Sequence, residues 1–170
     1  MLLCFLIPFQ SINAVEKCKP DKIEFGISFP PVKNGEELYF TYTTLKDLNT
    51  NRVRISENWK YREPTQDSFN WSPLDARIKN LDNQGIQFIL TIQSDAPEWI
   101  KYTSSSYNER SVAFTDSNNA QFEIYLERLL KRYKGKIKEI QFGNEWQSRW
   151  WYSGSKEEFT RTQNLFYDTV

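Results

Sequence analysis

The sequence alternates four times between strand-like and helix-like segments, and this order limits the possible folds more than any other feature. Strands are predicted where apolar residues recur with period two or form a nearly continuous run. The predicted strands are Lys22–Phe29, Arg52–Ile55, Ile86–Ile92 and Lys136–Phe142. The third is almost continuously apolar, which is typical of a parallel strand that is covered on both faces.

An amphipathic helix is predicted after each strand. The apolar stripes of the four helices are Leu38, Tyr42, Leu45 and Leu48; Leu74, Ile78 and Leu81; Phe122, Leu126, Leu129, Leu130 and Tyr133; and Phe159, Phe166 and Val170. Ser72 is predicted to be the N-cap of the second helix, with Pro73 at the first helical position and Gly85 at the end. Ser155 and Glu158 have the spacing of a capping box before the fourth helix.

This βαβαβαβα order predicts an α/β protein with right-handed crossovers and a parallel sheet. Periodicity alone does not separate a closed barrel from a doubly wound open sheet. In both folds, functional sites gather at the carboxyl ends of the strands. The 170 residues are fewer than the roughly 250 that a complete (β/α)8 barrel typically needs.

Composition excludes several kinds of chemistry. Histidine is absent, which removes Ser-His-Asp and Cys-His catalysis, imidazole acid/base chemistry and the common histidine-based zinc sites. Carboxylates are then the expected proton-transferring groups. The two cysteines, Cys4 and Cys18, are too few for a disulfide framework or a four-cysteine metal site. The sequence calls for no metal and no cofactor.

The charge pattern argues against two kinds of partner. The 22 basic and 22 acidic residues are interspersed along the chain. Such a pattern gives no electrostatic case for binding nucleic acid or an anionic membrane. Aromatic residues make up 16% of the chain, and at this point both core packing and stacking against sugar rings remain open explanations for them.

The first 14 residues are predicted to be a signal peptide. A short apolar run from Met1 to Phe9 is followed by polar and small residues ending at Ala14. The run is shorter than the roughly 20 apolar residues that span a bilayer, and cleavage after Ala14 would fit export. A basic first region is missing, so a buried N-terminal strand is the alternative. We expect a secreted or periplasmic protein whose mature domain begins at residue 15.

Polar and aromatic residues follow every predicted strand. These segments are Phe29-Pro30-Pro31; Arg54 with Glu57-Asn58-Trp59 and Glu63-Pro64; Gln93 to Trp99; and Gly143-Asn144-Glu145-Trp146. Any one of them is a weak signal, because polar residues often follow strands. Their combination and order are much more specific.

Taken together, these segments resemble the large clan of retaining (β/α)8-barrel glycoside hydrolases that carry catalytic glutamates after strands four and seven. The clan includes β-galactosidases, β-xylosidases, cellulases and mannanases. The matching pieces are Val53-Arg54-Ile55, Trp59, Glu63-Pro64, Phe69-Asn70-Trp71, Leu74-Asp75, Gly85-Ile86, Ala96-Pro97-Glu98-Trp99 and Asn144-Glu145. Many cellulase-like members have a histidine after strand three, where this chain has Gln93-Ser94-Asp95. That difference favours the β-galactosidase and β-xylosidase side.

The resemblance implies roles for specific residues. Glu145 would be the catalytic acid/base, in a partly desolvated site that suits proton transfer. Asn144 would bind the 2-hydroxyl of the sugar, and Arg54 would orient the nucleophilic carboxylate. Trp59, Trp99 and Trp146 are candidates for lining the sugar subsites.

Each assignment has a structural alternative. Glu145 would then be a helix-capping surface residue, and Arg54 an ordinary ion-pair partner. Trp59 and Trp99 would be packing residues. Trp150 and Trp151 are predicted to pack or anchor a loop, and Glu57 and Glu98 to lie on a solvated face or contact substrate.

The sequence therefore predicts the N-terminal half, four βα units, of a (β/α)8 barrel. The parent protein would hydrolyse O-glycosidic bonds of a glycoside, oligosaccharide or polysaccharide by retaining double displacement, with a nucleophile outside this chain. We expect these four units alone to be inactive. Two alternatives stay open: a carbohydrate-binding or degenerate protein without the second carboxylate, and a small α/β protein in which Asn144-Glu145 is coincidental.

Overall fold

The computed structural model describes residues 24–93, 95–100, 115–149 and 151–170. The predicted signal peptide, both cysteines, the first part of the predicted first strand and Trp150 lie outside these residues. No helix in the described ranges is both long enough and apolar enough to cross a bilayer.

Four strands alternate with helices along the chain. The strands are β1 (Ile27–Ser28), β2 (Arg52–Glu57), β3 (Gln87–Ile92) and β4 (Glu139–Phe142). The helices are α1 (Gly35–Asp47), α2 (Trp59–Arg62), α3 (Ser72–Asn83), α4 (Asn119–Arg132) and α5 (Lys156–Thr169). The short helix α2 is not predicted by the sequence pattern. The other elements confirm the expected alternation.

The strands form one parallel sheet in the order β1-β2-β3-β4. A doubly wound sheet reverses its strand order at a switch point, and no reversal occurs among the described strands. Every crossover runs in the same direction across the sheet. Since crossovers between parallel strands are right-handed as a rule, the helices are expected to lie on one face of the sheet. This topology is that of successive units in a (β/α)8 barrel.

The strand register aligns the carboxyl ends of the strands. Glu57 is level with Ile92, and Ile92 is level with Phe142. Backbone hydrogen bonds continue past the strands, from the Gln93 amide to the Glu57 carbonyl at 2.8 Å and from the Gly143 amide to the Ile92 carbonyl at 2.8 Å. The segments that follow the strands therefore begin at one edge of the sheet.

The two faces of β2 have different environments. Val53, Ile55 and Glu57 are buried, whereas the alternate residues Arg52 and Arg54 are partly exposed. Since alternate side chains point to opposite faces, the buried set faces the helices. Arg54 consequently lies on the inner face, where a barrel would enclose it.

The helical stripes are largely as predicted. Leu74 and Leu81 of α3 and Phe122 of α4 are fully buried. The prediction that Leu48 is a core residue is wrong, because it lies at the C-cap of α1 and is 62% exposed. Thr41 is buried on that helix instead, and its hydroxyl donates to the Pro31 carbonyl at 2.6 Å. Val170 is exposed too, at the end of α5.

The helix ends follow their predicted chemistry with one correction. Gly85 and Gly135 adopt positive φ beyond α3 and α4, and the Ser155–Glu158 capping box is present. Ser72 is not the N-cap of α3. Trp71 takes that position, and its carbonyl accepts from the Leu74 and Asp75 amides, so Ser72 is already helical.

Glu57 lies in a buried charged cluster on the helix side of the sheet. It is 1% exposed, 2.5 Å from the Arg62 guanidinium and 3.7 Å from that of Arg77. Burial raises the pKa of the Glu57 carboxyl, although both arginines act in the opposite direction. The prediction of a solvated or substrate-contacting Glu57 is therefore wrong, because its side chain points away from the inner face.

Replacing Arg62 by leucine should destabilise the protein strongly. Removing one partner of a buried ion pair costs about 3–5 kcal/mol, and here it would leave the buried Glu57 carboxylate with only its longer contact, at 3.7 Å, to Arg77. Burial raises the pKa of Glu57 above its ordinary value of 4.5 and Arg62 lowers it, so removing Arg62 should raise this pKa further. The variant then gains more stability than the wild type from protonation of Glu57, and the deficit should shrink as the pH falls from 7 towards 4.5.

Urea unfolding at several pH values measures this free energy. Lys136→Leu is the matched control, because the Lys136–Asp82 pair is more than half exposed, and such pairs contribute about 0–1 kcal/mol. A deficit in Arg62→Leu that equals the control, or that does not change with pH, would contradict the assignment.

Candidate active site

A cavity of about 470 Å³ lies at the carboxyl ends of the strands. Its lining residues come from the segments at and beyond all four strand ends and from the loop before α5. They are Phe29, Arg54, Ser56, Asn58, Gln93, Asp95, Asn144, Glu145 and Trp151. The structure thus brings together Arg54, Asn144 and Glu145, the three residues predicted to carry the chemistry.

Arg54 ties three strands together on the inner face. Its Nε donates to the Ser28 hydroxyl at 2.9 Å, its Nη1 to the Gln141 side-chain oxygen at 3.2 Å and its Nη2 to Asn144 Oδ1 at 3.3 Å. The guanidinium also lies 4.3 Å from the centre of the Phe29 ring. All these partners are neutral. Within the described ranges, no carboxylate forms an ion pair with Arg54.

Gln141 links this arginine to the loop that carries Asn144. Its side-chain oxygen accepts from Arg54 and from the Thr91 hydroxyl at 3.4 Å, and its amide nitrogen donates to the Gly143 carbonyl at 2.9 Å. The side chain is partly buried. Gln141 therefore fixes the start of the loop relative to β2 and β3.

Glu145 is held in an uncommon backbone conformation. Its φ is 55°, in the left-handed region that residues other than glycine seldom adopt. Its carbonyl accepts from the Ser148 amide at 2.9 Å, and its Oε2 accepts from Trp151 Nε1 at 2.9 Å. The side chain is exposed, so the partial desolvation expected of the acid/base is not provided by the described residues.

Phe29 shares this conformation, with φ of 53°. Only four non-glycine residues in the described ranges have positive φ, and two of them, Phe29 and Glu145, line this cavity. Backbone strain persists where the surrounding structure enforces it, and it clusters at functional sites. The coincidence supports a functional cavity here.

Gly143 makes the loop conformation possible. Its φ is 61°, and a Cβ atom at this position would lie 1.7 Å from the Trp146 ring. The Trp146 indole folds back over Gly143, donates to the Phe142 carbonyl at 3.0 Å and packs 4.9 Å from the Phe142 ring. The missing side chain therefore provides the space in which Trp146 anchors the loop to β4.

Two of the tryptophans predicted to line subsites have other positions. Trp59 is 1% exposed and stacks on Tyr125 at 5.6 Å, and its Nε1 donates to Glu63 at 2.6 Å. Trp99 packs edge-on against Trp59 at 5.7 Å and donates to the Glu63 carbonyl at 2.7 Å. The lining role is therefore wrong for Trp59, because its ring is enclosed in the core. Trp99 is partly exposed but does not border this cavity.

Trp146 lies beside a different cavity. It lines a space of about 570 Å³ together with Tyr152 and Phe159, and its ring packs against both of theirs. Within the described residues, Trp146 does not border the cavity that contains Glu145.

Sequence reasoning gives no role to several lining residues. Phe29, Asn58, Gln93 and Asp95 directly follow or closely follow strand ends, so their positions are the available signal. Trp151 is expected to pack or anchor a loop, and it also lines the cavity and donates to Glu145. Trp151 lies well after β4, and no periodic pattern in the sequence predicts that the chain brings it back to the cavity. No group of three or more acidic or cysteine side chains that could hold a metal occurs in the described ranges.

The fold is that of successive units of a (β/α)8 barrel, and the chain is similar to glycoside hydrolases. The family model of the glycoside hydrolase family 42 β-galactosidases matches residues 33–110. This match includes Arg54 and ends before Asn144-Glu145. The comparison with curated proteins found no match.

Solved structures confirm the fold. GH5_18 from Bifidobacterium longum subsp. longum aligns with a TM-score of 0.67 at 14% identity, over 86% of this chain and 41% of that one. A variant of the same protein in complex with Manβ1-4GlcNAc aligns with a TM-score of 0.65 at 13% identity, over 87% and 40%. A β-galactosidase from the psychrophilic Marinomonas ef1 aligns with a TM-score of 0.58 at 17% identity, over 73% and 22%. This chain therefore spans about two fifths or less of the length of these proteins.

Replacing Gly143 by alanine should disrupt the Glu145 loop. A left-handed alanine costs about 1–2 kcal/mol, and overpacking against Trp146 should add about 1–3 kcal/mol. We expect a free energy of unfolding lowered by roughly 2–5 kcal/mol and altered near-ultraviolet circular dichroism from the displaced indole. Thermal unfolding and circular dichroism measure both effects.

Gly135→Ala is the matched control. Gly135 has φ of 79°, and a Cβ atom added there would meet nothing within 4 Å, so this variant bears only the backbone cost. Equal losses in the two variants would show that Trp146 does not occupy the space beside Gly143.

Proposed function

We propose that the protein hydrolyses O-glycosidic bonds with retention of configuration, by double displacement, and that Glu145 is its acid/base. The observation that carries this proposal is the convergence of Arg54, Asn144 and Glu145 on one cavity at the carboxyl ends of parallel strands. In (β/α)8 enzymes this end of the sheet holds the active site.

Glu145 has the chemistry and the access that the reaction needs. A carboxyl group must protonate the leaving glycosidic oxygen and later accept a proton from water. The Glu145 side chain is exposed at the cavity, so a glycoside can reach it. A bound sugar would also exclude water and supply the desolvation that the described residues do not.

Asn144 is arranged to donate towards a ligand. Its Oδ1 is bound to Arg54, which leaves the two donors of the amide nitrogen for other partners. We assign them to the 2-hydroxyl of the sugar, whose hydrogen bonds strengthen in the transition state. Arg54 thus fixes which end of the Asn144 amide faces the cavity.

Arg54 also carries a positive charge that has no anionic partner among the described residues. Its partners are a hydroxyl, two amides and an aromatic ring, and a partly buried guanidinium favours a planar, bidentate anionic partner. A nucleophilic carboxylate would satisfy it and be kept ionised by it. We assign no described residue to the nucleophile.

The substrate class follows from the same resemblance. The matching family is described as β-galactosidase, and one similar structure holds a β-linked disaccharide. We propose a β-linked hexopyranoside, with export to the secreted or periplasmic compartment after removal of residues 1–14.

Replacing Glu145 by glutamine in the full-length protein should slow hydrolysis of unactivated sugars by about 10²–10⁴-fold. The amide keeps the shape but has no proton to transfer. Aryl glycosides with good leaving groups need little protonation, so their single-turnover glycosylation rate should fall much less. Glu98→Gln is the control, since Glu98 is exposed and does not line the cavity.

Equal losses of Glu145→Gln on both substrates would argue against Glu145 as the acid. Sugar binding by a wild-type protein with no turnover on any glycoside would instead favour the carbohydrate-binding alternative.

Replacing Arg54 by lysine should lower kcat while the fold is retained, because an ammonium cannot form the bidentate contacts of a guanidinium. Arg52→Lys is the matched control: Arg52 lies on the same face of β2 and pairs with Glu24 and Glu139 away from the cavity. Steady-state kinetics on an aryl β-glycoside compare the two. Near-normal turnover in Arg54→Lys would make Arg54 a structural residue.

A further inference from the structure

The structure points to Trp151 as the residue that positions the Glu145 carboxyl, an inference that rests on the proposed function. Trp151 Nε1 donates to Glu145 Oε2 at 2.9 Å, and the Trp151 ring borders the same cavity. The contact joins the loop after β4 to the segment before α5.

The backbone places Trp151 above Glu145 independently of that contact. The Glu145 carbonyl accepts from the Ser148 amide, and the Ser148 carbonyl accepts from the amides of Trp151 and Tyr152, each at 2.9 Å. These successive turns return the chain to the cavity. The indole donor is therefore in place before any substrate arrives, which is the arrangement that makes a positioning contact effective.

The indole contact distinguishes the two oxygens of the carboxyl group. An indole N–H only donates, so Oε2 must accept. Oε1 has no hydrogen-bond partner within the described ranges. When Glu145 is protonated, the proton is therefore on Oε1, and Oε2 keeps its bond to Trp151. Trp151 selects the oxygen that acts on the substrate.

The proton transfers then follow from this selection. Glu145 Oε1–H donates its proton to the glycosidic oxygen as the bond from that oxygen to the anomeric carbon breaks and the nucleophilic carboxylate bonds to that carbon. The leaving group departs as a neutral alcohol. In the second step a water molecule loses a proton to Oε1 and its oxygen bonds to the anomeric carbon, while the bond between that carbon and the nucleophilic carboxylate breaks. Trp151 neither gains nor loses a proton in either step.

The pairing can be tested without any activity. In the ¹⁵N-labelled full-length protein, the Trp151 indole N–H resonance should shift with pH when the Glu145 carboxyl gains a proton, and it is to be distinguished from the resonance of Trp59, whose Nε1 donates to Glu63. This titrating resonance should be missing in Trp151→Phe, and in Glu145→Gln the Trp151 resonance should stay constant with pH. A Trp151 indole resonance that still shifts with pH in Glu145→Gln, or one that does not shift in the wild type, would overturn the pairing.

The positioning role has a kinetic signature. Trp151→Phe keeps an aromatic ring and removes the donor, so the single-turnover glycosylation rate on alkyl glycosides should fall about tenfold, the scale of one hydrogen bond to a charged group. The single-turnover glycosylation rate on a dinitrophenyl glycoside should change less than about twofold, since that leaving group needs no proton, and KM for alkyl glycosides should stay constant. Trp71→Phe is the control, because Trp71 packs on Phe69 away from the cavity.

The outcomes separate the two proposals. Equal losses of the single-turnover glycosylation rate on both substrates, or an effect confined to KM, would overturn the positioning role while the proposed function stands. If the wild-type protein has no glycosidase activity but still shows the titrating Trp151 indole, the proposed function is overturned. The hydrogen bond between Trp151 and Glu145 would then exist without a catalytic role.

Discussion

The structure depends on the parallel register that brings the ends of β1 to β4 to one edge. Antiparallel pairing of any two strands would send at least one of the following segments to the opposite edge. With the observed register, residues separated by more than a hundred positions, such as Phe29 and Trp151, border one space. The direction of the strands therefore determines which residues meet at the site, and side-chain contacts then fix their positions.

The sheet separates two kinds of polar residue. On the helix side, Glu57 is enclosed with its arginines and serves packing. On the inner face, Arg54 has only neutral partners among the described residues and remains directed at a cavity. Two charged residues three positions apart on one strand therefore have unrelated roles, and the alternation of side chains along the strand decides which role each has.

Much of the fold is predictable from local patterns. The alternation of strand and helix segments, the Ser155 capping box and the glycine ends of α3 and α4 are each determined by a few neighbouring residues, and these predictions are confirmed. The first strand is shorter than predicted, since only Ile27–Ser28 is a strand within the described part of Lys22–Phe29. The predictions for Leu48 and Ser72 fail because both residues lie at helix boundaries. If a helix end moves by one residue, a position inside the helix becomes a capping position, or the reverse. The choice of a barrel-like sheet needs the strand order, which periodicity does not contain.

The site is predictable only where residues directly follow strands. Arg54, Asn144 and Glu145 lie together as the strand-end argument requires. Trp59 cannot be placed by that argument, because the unpredicted helix α2 turns it into the core. The return of Trp151 depends on two backbone turns that no residue pattern specifies. Whether Glu145, Asn144 and Arg54 act as proposed stays a prediction.

The contact between Trp146 and Gly143 has a consequence for protein engineering. The loop that carries Glu145 is attached to the sheet by an indole ring that lies over a bare backbone and against the rings of Phe142 and Phe159. Grafting only the loop onto another parallel sheet would leave that indole without the aromatic rings against which it packs. The transferable unit is the loop together with the last residue of its strand and the first turns of the helix that follows.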